Sequence, residues 1–427
     1  MIINNITNER KKLVKFYSIK SKSKNLNLIR NTLSYPCTWY DNLGYYKILN
    51  HLNKSSIKFY FSFIKEILLI SNLHNYEEII IEKNIKKNYK NLALSWSNSF
   101  SSKNYTYKDS YLPKIGNCIN FILNVGPSYK NKNNLKNTII FQKKNQNLNY
   151  IFLTKKIFSI LIDFRFNFKD SLLKLNWSHL FSGMIYNKIH KLIKEKKIQN
   201  LYLPYEAQPF QKYLIIMLRK KFPHIKIIGY LNAIQPFPIH LYNKNIIPDL
   251  SYSMSRTQIY QLTKIFKWRK EKIRLTKSNR FRIKNRKKYL NKFILPYYIS
   301  NKSKLLSQID YLLQILPDRI FIKPSILPHP VGKTDNKYKD FLREMKILID
   351  KYDTKFRSKS KKNFAVVIGS TTTVLECLEH HLTVYHVTPV PVLEALDPLF
   401  WPKVKINSLD NGIFLYSYYL KKKLINY

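Results

Sequence analysis

From residue 184 onward the chain alternates between two apolar periods. Ile185, Ile189, Leu192 and Ile193 recur at the spacing of an amphipathic helix, and Asn200 to Leu203 then reads as a short strand. Phe210, Leu214, Met217 and Leu218 mark a second helix, and Ile225 to Tyr230 a second strand. Another series starts near Pro248, with strand-like Leu250 to Met254, helical Arg256 to Phe266 and strand-like Lys272 to Lys277. Beyond the basic stretch Asn279 to Lys288 come a strand at Phe293 to Ile299 and a helix marked by Leu305, Leu306, Ile309, Leu312 and Leu313. A strand follows at Arg319 to Lys323, then a helix carrying Phe341, Leu342, Met345 and Leu348. Phe364 to Ile368 is a buried-type strand, Thr371 to His381 a helix, and Leu382 to Val387 the last strand. The first 150 residues are less periodic: Glu78 to Glu82 and Asn91 to Trp96 resemble strands and Ile57 to Leu73 a helix.

This alternation predicts parallel sheets covered by helices, and such sheets bind ligands beyond the carboxyl ends of their strands. The expected fold class is α/β, with two doubly wound Rossmann-like domains facing a central cleft. The boundary is placed between Tyr230 and Pro248: an N-terminal domain over 1–240, a C-terminal domain over 241–410, and a tail over 411–427.

A chain of 427 residues suits two or three domains, and 45% hydrophobic residues are enough to build their cores. No apolar run reaches the roughly 18 residues a membrane-spanning helix needs. The best candidate, Phe59 to Leu73, is interrupted by Lys65 and Glu66. Met1 to Lys12 is polar, so a secretory signal is not expected. Cys37, Cys118 and Cys377 are too few and too scattered for a disulfide scaffold or a cysteine-built zinc site. The expectation is a soluble intracellular protein.

Lys and Arg number 75 against 25 Asp and Glu, a net charge of +50. Part of this is vocabulary: the chain is crowded with Lys, Asn, Ile, Tyr and Phe and has eight Gly, as an AT-rich genome writes. Scarce Glu, which also has AT-rich codons, is not explained that way. The excess field suits anionic lipid or anionic substrates. No zinc-finger spacing, RNP-like aromatic motif or P-loop accompanies it, so nucleic acid is not the expected partner. The low-complexity runs Lys83 to Asn91 and Lys130 to Asn149 read as loops.

Four segments carry candidate chemistry. In Ala365 to Glu376 an apolar strand runs into Gly369, Ser370, Thr371 and Thr372, which open a helix. Unpaired N–H groups at a helix start cradle phosphate, and Gly lets the backbone approach closely. The same turn is equally read as an ordinary N-cap made by Ser370 or Thr371. Ile322 to Pro330 carries Lys323 and holds His329 between two prolines, a rigid imidazole suited to meeting a phosphate, or simply a loop histidine. In Leu203 to Pro209, Glu206 stands at a strand end beside Tyr205 and Gln208, as a general base or as a helix N-terminal acid. Gly229 to Pro236 puts Asn232 and Gln235 directly after a strand, at a cleft or in a polar linker.

Along the chain come the Glu206 strand end, the Gly229-Tyr230 strand end, a Pro248-Asp249 entry, the Lys-Pro/His-Pro strand end and the Gly-Ser-Thr-Thr helix start with Glu376. That order resembles GT-B glycosyltransferases of bacterial surface carbohydrate and capsular polysaccharide biosynthesis, including relatives with His-Pro and Ser/Thr donor motifs. The resemblance covers residues 184–405. It implies that Gly369, Ser370, Thr371 and Thr372 hold the donor phosphate and Glu376 the donor's sugar or ribose hydroxyls. His329 would face the nucleotide phosphate, with Lys323 competing for that place because Ser325 to Leu327 split the usual Lys-Pro-His-Pro. Glu206 would be the acid of the first domain or an acceptor-binding group, with Tyr205, Gln208, Asn232 and Gln235 lining the acceptor side.

The resemblance further implies a metal-independent sugar transferase, hexosyl- or sialyl/Kdo-type. A nucleotide-sugar would be its donor substrate, with no other cofactor, and a glycan or lipid-linked acceptor its partner. It would be cytoplasmic, peripheral on the inner face of the membrane. The absence of an Asp-x-Asp pair agrees with chemistry that needs no metal. The rivals are a sugar-nucleotide epimerase-like enzyme of similar shape and a non-enzymatic basic protein binding membrane or nucleic acid.

Overall fold

The computed structural model describes residues 2–20, 76–80, 88–96, 109, 111–124, 137–143, 177–232, 234–277, 289–296, 299, 301–318, 321–329, 336–356, 363–369 and 371–418. The expected helix at Ile57 to Leu73, the basic stretch Asn279 to Lys288, Cys37 and Ser370 lie outside these residues. Among the described residues no helix is long and apolar enough to cross a membrane.

The chain opens with α1 (Ile2–Lys20), whose buried face includes Ile6 and Arg10. The strands β1 (Tyr76–Ile80), β2 (Asn91–Trp96), β3 (Cys118–Asn124) and β4 (Thr138–Lys143) follow. Helix α2 (Trp177–Lys196) begins seven residues ahead of its strongest apolar periodicity and leads to β5 (Asn200–Pro204). Then come α3 (Pro209–Lys221), β6 (Lys226–Leu231), β7 (Leu250–Ser253), α4 (Arg256–Tyr260, continued by a π turn over Gln261–Ile265) and β8 (Ile273–Leu275). These eight strands form one sheet in the order β1-β4-β3-β2-β5-β6-β7-β8. All neighbours are parallel except the edge pair β1 and β4.

The second sheet contains β9 (Lys292–Ile294), β10 (Ser325–Leu327), β11 (Phe364–Ile368), β12 (Thr383–Val387), β13 (Val404–Ser408) and β14 (Ile413–Tyr418). Its order is β10-β9-β11-β12-β14-β13, parallel through β12 and antiparallel beyond. Its helices are α5 (Lys302–Ile315), α6 (Asn336–Lys351), α7 (Thr373–Glu379) and the single turn α8 (Pro391–Glu394). Asn301 starts α5 by accepting the Lys304 N–H at 3.1 Å, an ordinary N-cap. Strand β11 is buried along its whole length, as expected of a strand covered on both faces. Phe364, Val366 and Ile368 pack with α5 and α6, while Ala365 and Val367 join the core that also fills the first sheet.

Three expectations are corrected. Leu250 to Met254 and Lys272 to Lys277 supply β7 and β8 of the first sheet, so the change of sheet comes between Thr276 and Tyr289 rather than at 230–248. The alternation itself does not reveal this, because a doubly wound sheet can add strands at its edge without changing period. Of the strand expected at Arg319 to Lys323, residues 319 and 320 lie outside the described residues, and the strand that pairs with β9 is Ser325–Leu327. Leu382 to Val387 is not the last strand: residues 404–418 form a hairpin, its turn made by Asp410, Asn411 and Gly412 with φ of 67°, 44° and 73°. The described part of the expected tail, 411–418, is thereby built into the core through Ile413, Phe414 and Tyr416, and 419–427 lie outside the described residues.

Candidate functional site

In each sheet the chain reverses direction at one place. In the first it runs outward from β2 to β3 and β4 on one side, and from β5 through β8 on the other. In the second, β9 runs outward to β10 while β11 and β12 build the other way. Such reversals open crevices at the carboxyl ends of the two central strands. The crevice of the first sheet is bordered by the turn after β5, which carries Glu206. That of the second is bordered by the turn after β11, which starts at Gly369.

The first turn is held by a residue that sequence reading passed over. The Gln211 side chain accepts the N–H groups of Glu206 (2.9 Å) and Gln208 (3.1 Å) and donates to the Pro204 carbonyl (2.6 Å). With Ala207 at φ 53°, this wraps the chain tightly onto the start of α3. The half-buried Glu206 carboxylate accepts from Gln208 Nε2 at 3.0 Å and stands where the helix dipole favours negative charge. Gln208 is therefore a partner of the carboxylate.

Tyr205, expected on the acceptor side, is core. Its hydroxyl donates to the Ile246 carbonyl at 2.7 Å, its ring lies against Trp268, and burial pushes the phenol up. Asn232 is also buried, donating to the Tyr111 carbonyl at 2.9 Å and so tying the segment before β3 to the end of β6. Gln235 is half-buried in the segment that follows. Gly229 is required by proximity: a Cβ there would stand 2.6 Å from Pro248 Cγ and 2.9 Å from Tyr205 Cβ. Asp249 lies at the opposite, amino end of its strand, where it pairs with Arg219 and accepts the Ile227 N–H.

The second turn leaves β11 at Gly369, whose φ of 66° is a conformation that favours glycine. Its N–H donates to the Val387 carbonyl at 2.9 Å, and its own carbonyl accepts from His386 Nε2 at 2.8 Å. Pro296, at the end of β9, flanks it on the other side of the crevice. Thr371 Oγ1 accepts the Thr373 N–H at 3.2 Å and donates to Thr373 Oγ1. Thr371 thus performs the capping task, while Thr372 takes helical angles and makes no side-chain cap.

His329 reaches the same end of the sheet. Its N–H donates to the Tyr338 hydroxyl at 2.8 Å, and that hydroxyl donates to the Pro296 carbonyl at 3.0 Å. The structure does not bring Lys323 to this group. It lies ahead of β10, at the amino end of the sheet, in ion pairs with Asp350 (2.8 Å) and Asp353 (2.7 Å). Those carboxylates, through hydrogen bonds first, raise its pKa. The two candidates for one phosphate thus stand at opposite ends of β10. Glu376 lies in the first turn of α7, its carboxylate accepting from the Tyr289 hydroxyl on the segment leading into β9.

The carboxyl ends of the two sheets meet. Trp401 Nε1, beyond β12, donates to the Pro236 carbonyl, beyond β6, at 2.6 Å. Phe237 and Phe400 pack edge to face at 5.1 Å, and Gln261 Nε2, beyond β7, donates to the Phe400 carbonyl at 2.9 Å. No cluster of three His, Cys, Asp or Glu suited to a metal ion occurs among the described residues.

The class of protein so defined is mixed α/β, with two largely parallel sheets whose chain reversals each carry a polar turn. No family model and no curated protein matches the chain. Among solved structures, one described as a glycosyltransferase from Rickettsia africae ESF-5 aligns over 71% of this chain and 79% of its own, at 13% identity and a TM-score of 0.31. A likeness that distant carries neither fold nor activity across.

Proposed function

We propose that the protein is a glycosyltransferase that moves a sugar from a nucleotide-activated donor to a growing cell-surface glycan. One observation carries the reading. The two segments that most resemble glycosyltransferase motifs, around Glu206 and around Gly369, stand at the chain reversals of two sheets whose carboxyl ends meet. A donor bound at the second reversal would present its sugar toward the first.

In this reading the Gly369 turn, with the Thr371 and Thr372 hydroxyls and the His329 imidazole, receives the donor phosphate. Negative charge grows on that phosphate as the glycosidic bond breaks, so donors aimed at it favour the transition state over the ground state. Glu206, across the seam, accepts the proton of the acceptor hydroxyl. The donor charge is met by these groups without a metal ion. The net charge of +50 adds attraction for an anionic donor and for an anionic membrane carrying a lipid-linked acceptor.

The test is a thermal-shift screen with nucleoside mono- and diphosphates, CMP included. A nucleotide that binds only the folded protein raises the melting temperature by mass action, by an amount that grows with its concentration. No shift with any nucleotide, together with no hydrolysis of nucleotide-sugars and steeply salt-dependent nucleic-acid binding, would replace the proposal with that of a basic binding protein.

A further inference from the structure

The Gly369 turn is not held by its own residues alone. His386, on the neighbouring strand β12, is completely buried and sits one register step before the end of the β11 pairing. Its Nε2 lies 2.8 Å from the Gly369 carbonyl oxygen, an atom that can only accept, so Nε2 carries the proton. Its Nδ1 lies 3.2 Å from the Tyr416 hydroxyl. That hydroxyl already accepts the Leu396 N–H at 2.9 Å, and its own proton is directed to Nδ1. The neighbouring residue Ala395 is fixed from a distant part of the chain, because Arg10 Nη2 of α1 donates to its carbonyl at 2.5 Å. Arg10 also donates to the Val392 carbonyl at 2.7 Å and pairs with Asp397, both charges being fully buried.

We infer that His386 is a positioning residue for the phosphate-binding turn. It acts as the last link of a hydrogen-bonded chain that runs from Arg10 through residues 395–397 and Tyr416 to the Gly369 carbonyl. This rests on the donor-site reading of that turn. The physical reason is that the peptide after a left-handed glycine can rotate. A fixed donor on its carbonyl sets the plane of the next peptide, and hence the direction of the N–H groups that follow.

Burial lowers the His386 pKa to about 4, against the smaller opposing effect of the Gly369 carbonyl, so the required neutral form is present throughout the physiological range. Around the ring stand the Tyr416 hydroxyl, the Gly369 carbonyl and, further out, the Arg10 charge. The design differs from an ordinary buried histidine in that both ring nitrogens have assigned directions.

The test compares wild type with His386→Gln, His386→Leu and Tyr416→Phe. Gln can place an amide N–H near the Nε2 position and so retain the donor, whereas Leu cannot. Two readouts are used: amide hydrogen exchange at Gly369 and residues 371–373 without ligand, and affinity for a nucleotide found in the thermal-shift screen. Exchange at the turn should quicken by roughly tenfold in His386→Leu and Tyr416→Phe, with His386→Gln close to wild type, while β11 stays protected. Nucleotide affinity should fall roughly tenfold in the same two variants and recover in His386→Gln. Unchanged exchange at the turn in a folded His386→Leu would overturn the inference, as would equal losses in Leu and Gln. If Leu fails to fold, Tyr416→Phe with an unaltered turn overturns it. A turn loosened as expected in a protein that binds no nucleotide would overturn the donor-site reading and leave the positioning role standing.

Discussion

Lys212 offers the sharpest thermodynamic test of how the first sheet is packed. It lies in the first turns of α3, is completely buried, and has its ammonium 5.4 Å from the centre of the Tyr242 ring. Loss of hydration lowers its pKa from 10.5 to about 7. The unfolded chain therefore holds a proton on this amine, between pH 7 and 10.5, that the folded protein has given up. Stability supplied by this group is thus least below pH 7 and rises as pH climbs toward 10.5. At pH 7 the folded amine is half protonated and the unfolded amine fully so, a penalty of about 4 kcal/mol. At pH 10 the same linkage leaves about 1 kcal/mol.

Lys212→Met keeps the volume and removes the titration. The assay is urea unfolding of both proteins at several pH values, read as the difference between them, so that every other titrating group cancels. The variant should be the more stable by several kcal/mol near neutrality, with the gap closing by about 3 kcal/mol by pH 10. Curves that run parallel from pH 7 to 10 would refute the reasoning. His240 bears on the same site: burial first, and the charge of Lys212 second, lower its pKa from 6.5 to about 3. It contributes the same sign at lower pH, stability being lost as pH falls from 6.5 toward 3.

Other consequences are equally direct. Gly229→Ala would drive a Cβ to 2.6 Å from Pro248 and 2.9 Å from Tyr205, so the backbone must move. A loss of ~1–3 kcal/mol in chemical denaturation is expected, and an unchanged midpoint would show that the contact relaxes freely. Arg10→Met leaves the Asp397 carboxylate buried without its partner, which should cost ~3–5 kcal/mol, while adding Asp397→Leu should restore part of that loss. Equal stability of Arg10→Met and wild type would mean that α1 does not dock in solution. Glu206→Gln preserves the hydrogen bond from Gln208 but removes the basic oxygen. Turnover should fall by roughly a hundredfold or more with nucleotide affinity unchanged, and a variant near wild type in both would remove Glu206 from the mechanism.

The parts of the fold legible in the sequence are those where a single period is enough. The helix at Leu305 to Leu313 and the strand Phe364 to Ile368 are strongly patterned because each buries one continuous stripe or both faces. What the period does not encode is which sheet a strand joins. Leu250 and Ile273 look the same whether their strands extend the first sheet or begin the second, and only Ile228↔Leu250 and Ser251↔Ile273 pairing decides it. The β13–β14 hairpin was hidden for another reason. Its one dependable signal, Asp410-Asn411-Gly412, lies in a turn whose left-handed angles sequence alone hints at only through residue type.

The site divides along a similar line. Glu206 and Gly369 could be picked out because each ends an apolar run and opens a helix, a boundary visible in one dimension. Lys323 was misleading because it shares that local grammar. Nothing in Ile-Lys-Pro states which end of a short strand it marks, and with the strand formed at Ser325–Leu327 the lysine stands ahead of it, against Asp350 and Asp353. Tyr338 and His386 are invisible for the opposite reason, since their partners come from other segments: Pro296 and His329 for Tyr338, and Gly369 for His386. Gln211 bonds the turn directly ahead of its own helix, Pro204 to Gln208, but an amide inside a helical run does not announce that bond. A polar side chain facing inward in an otherwise apolar strand or helix is the available signal. His386 in Thr383 to Val387, and Gln211 and Lys212 in the first turn of α3, all carry it. Burying such groups is unfavourable unless they are satisfied, so each implies a partner that the sequence does not name. That is why the groups that would touch a ligand were easier to find here than the groups that hold them in place.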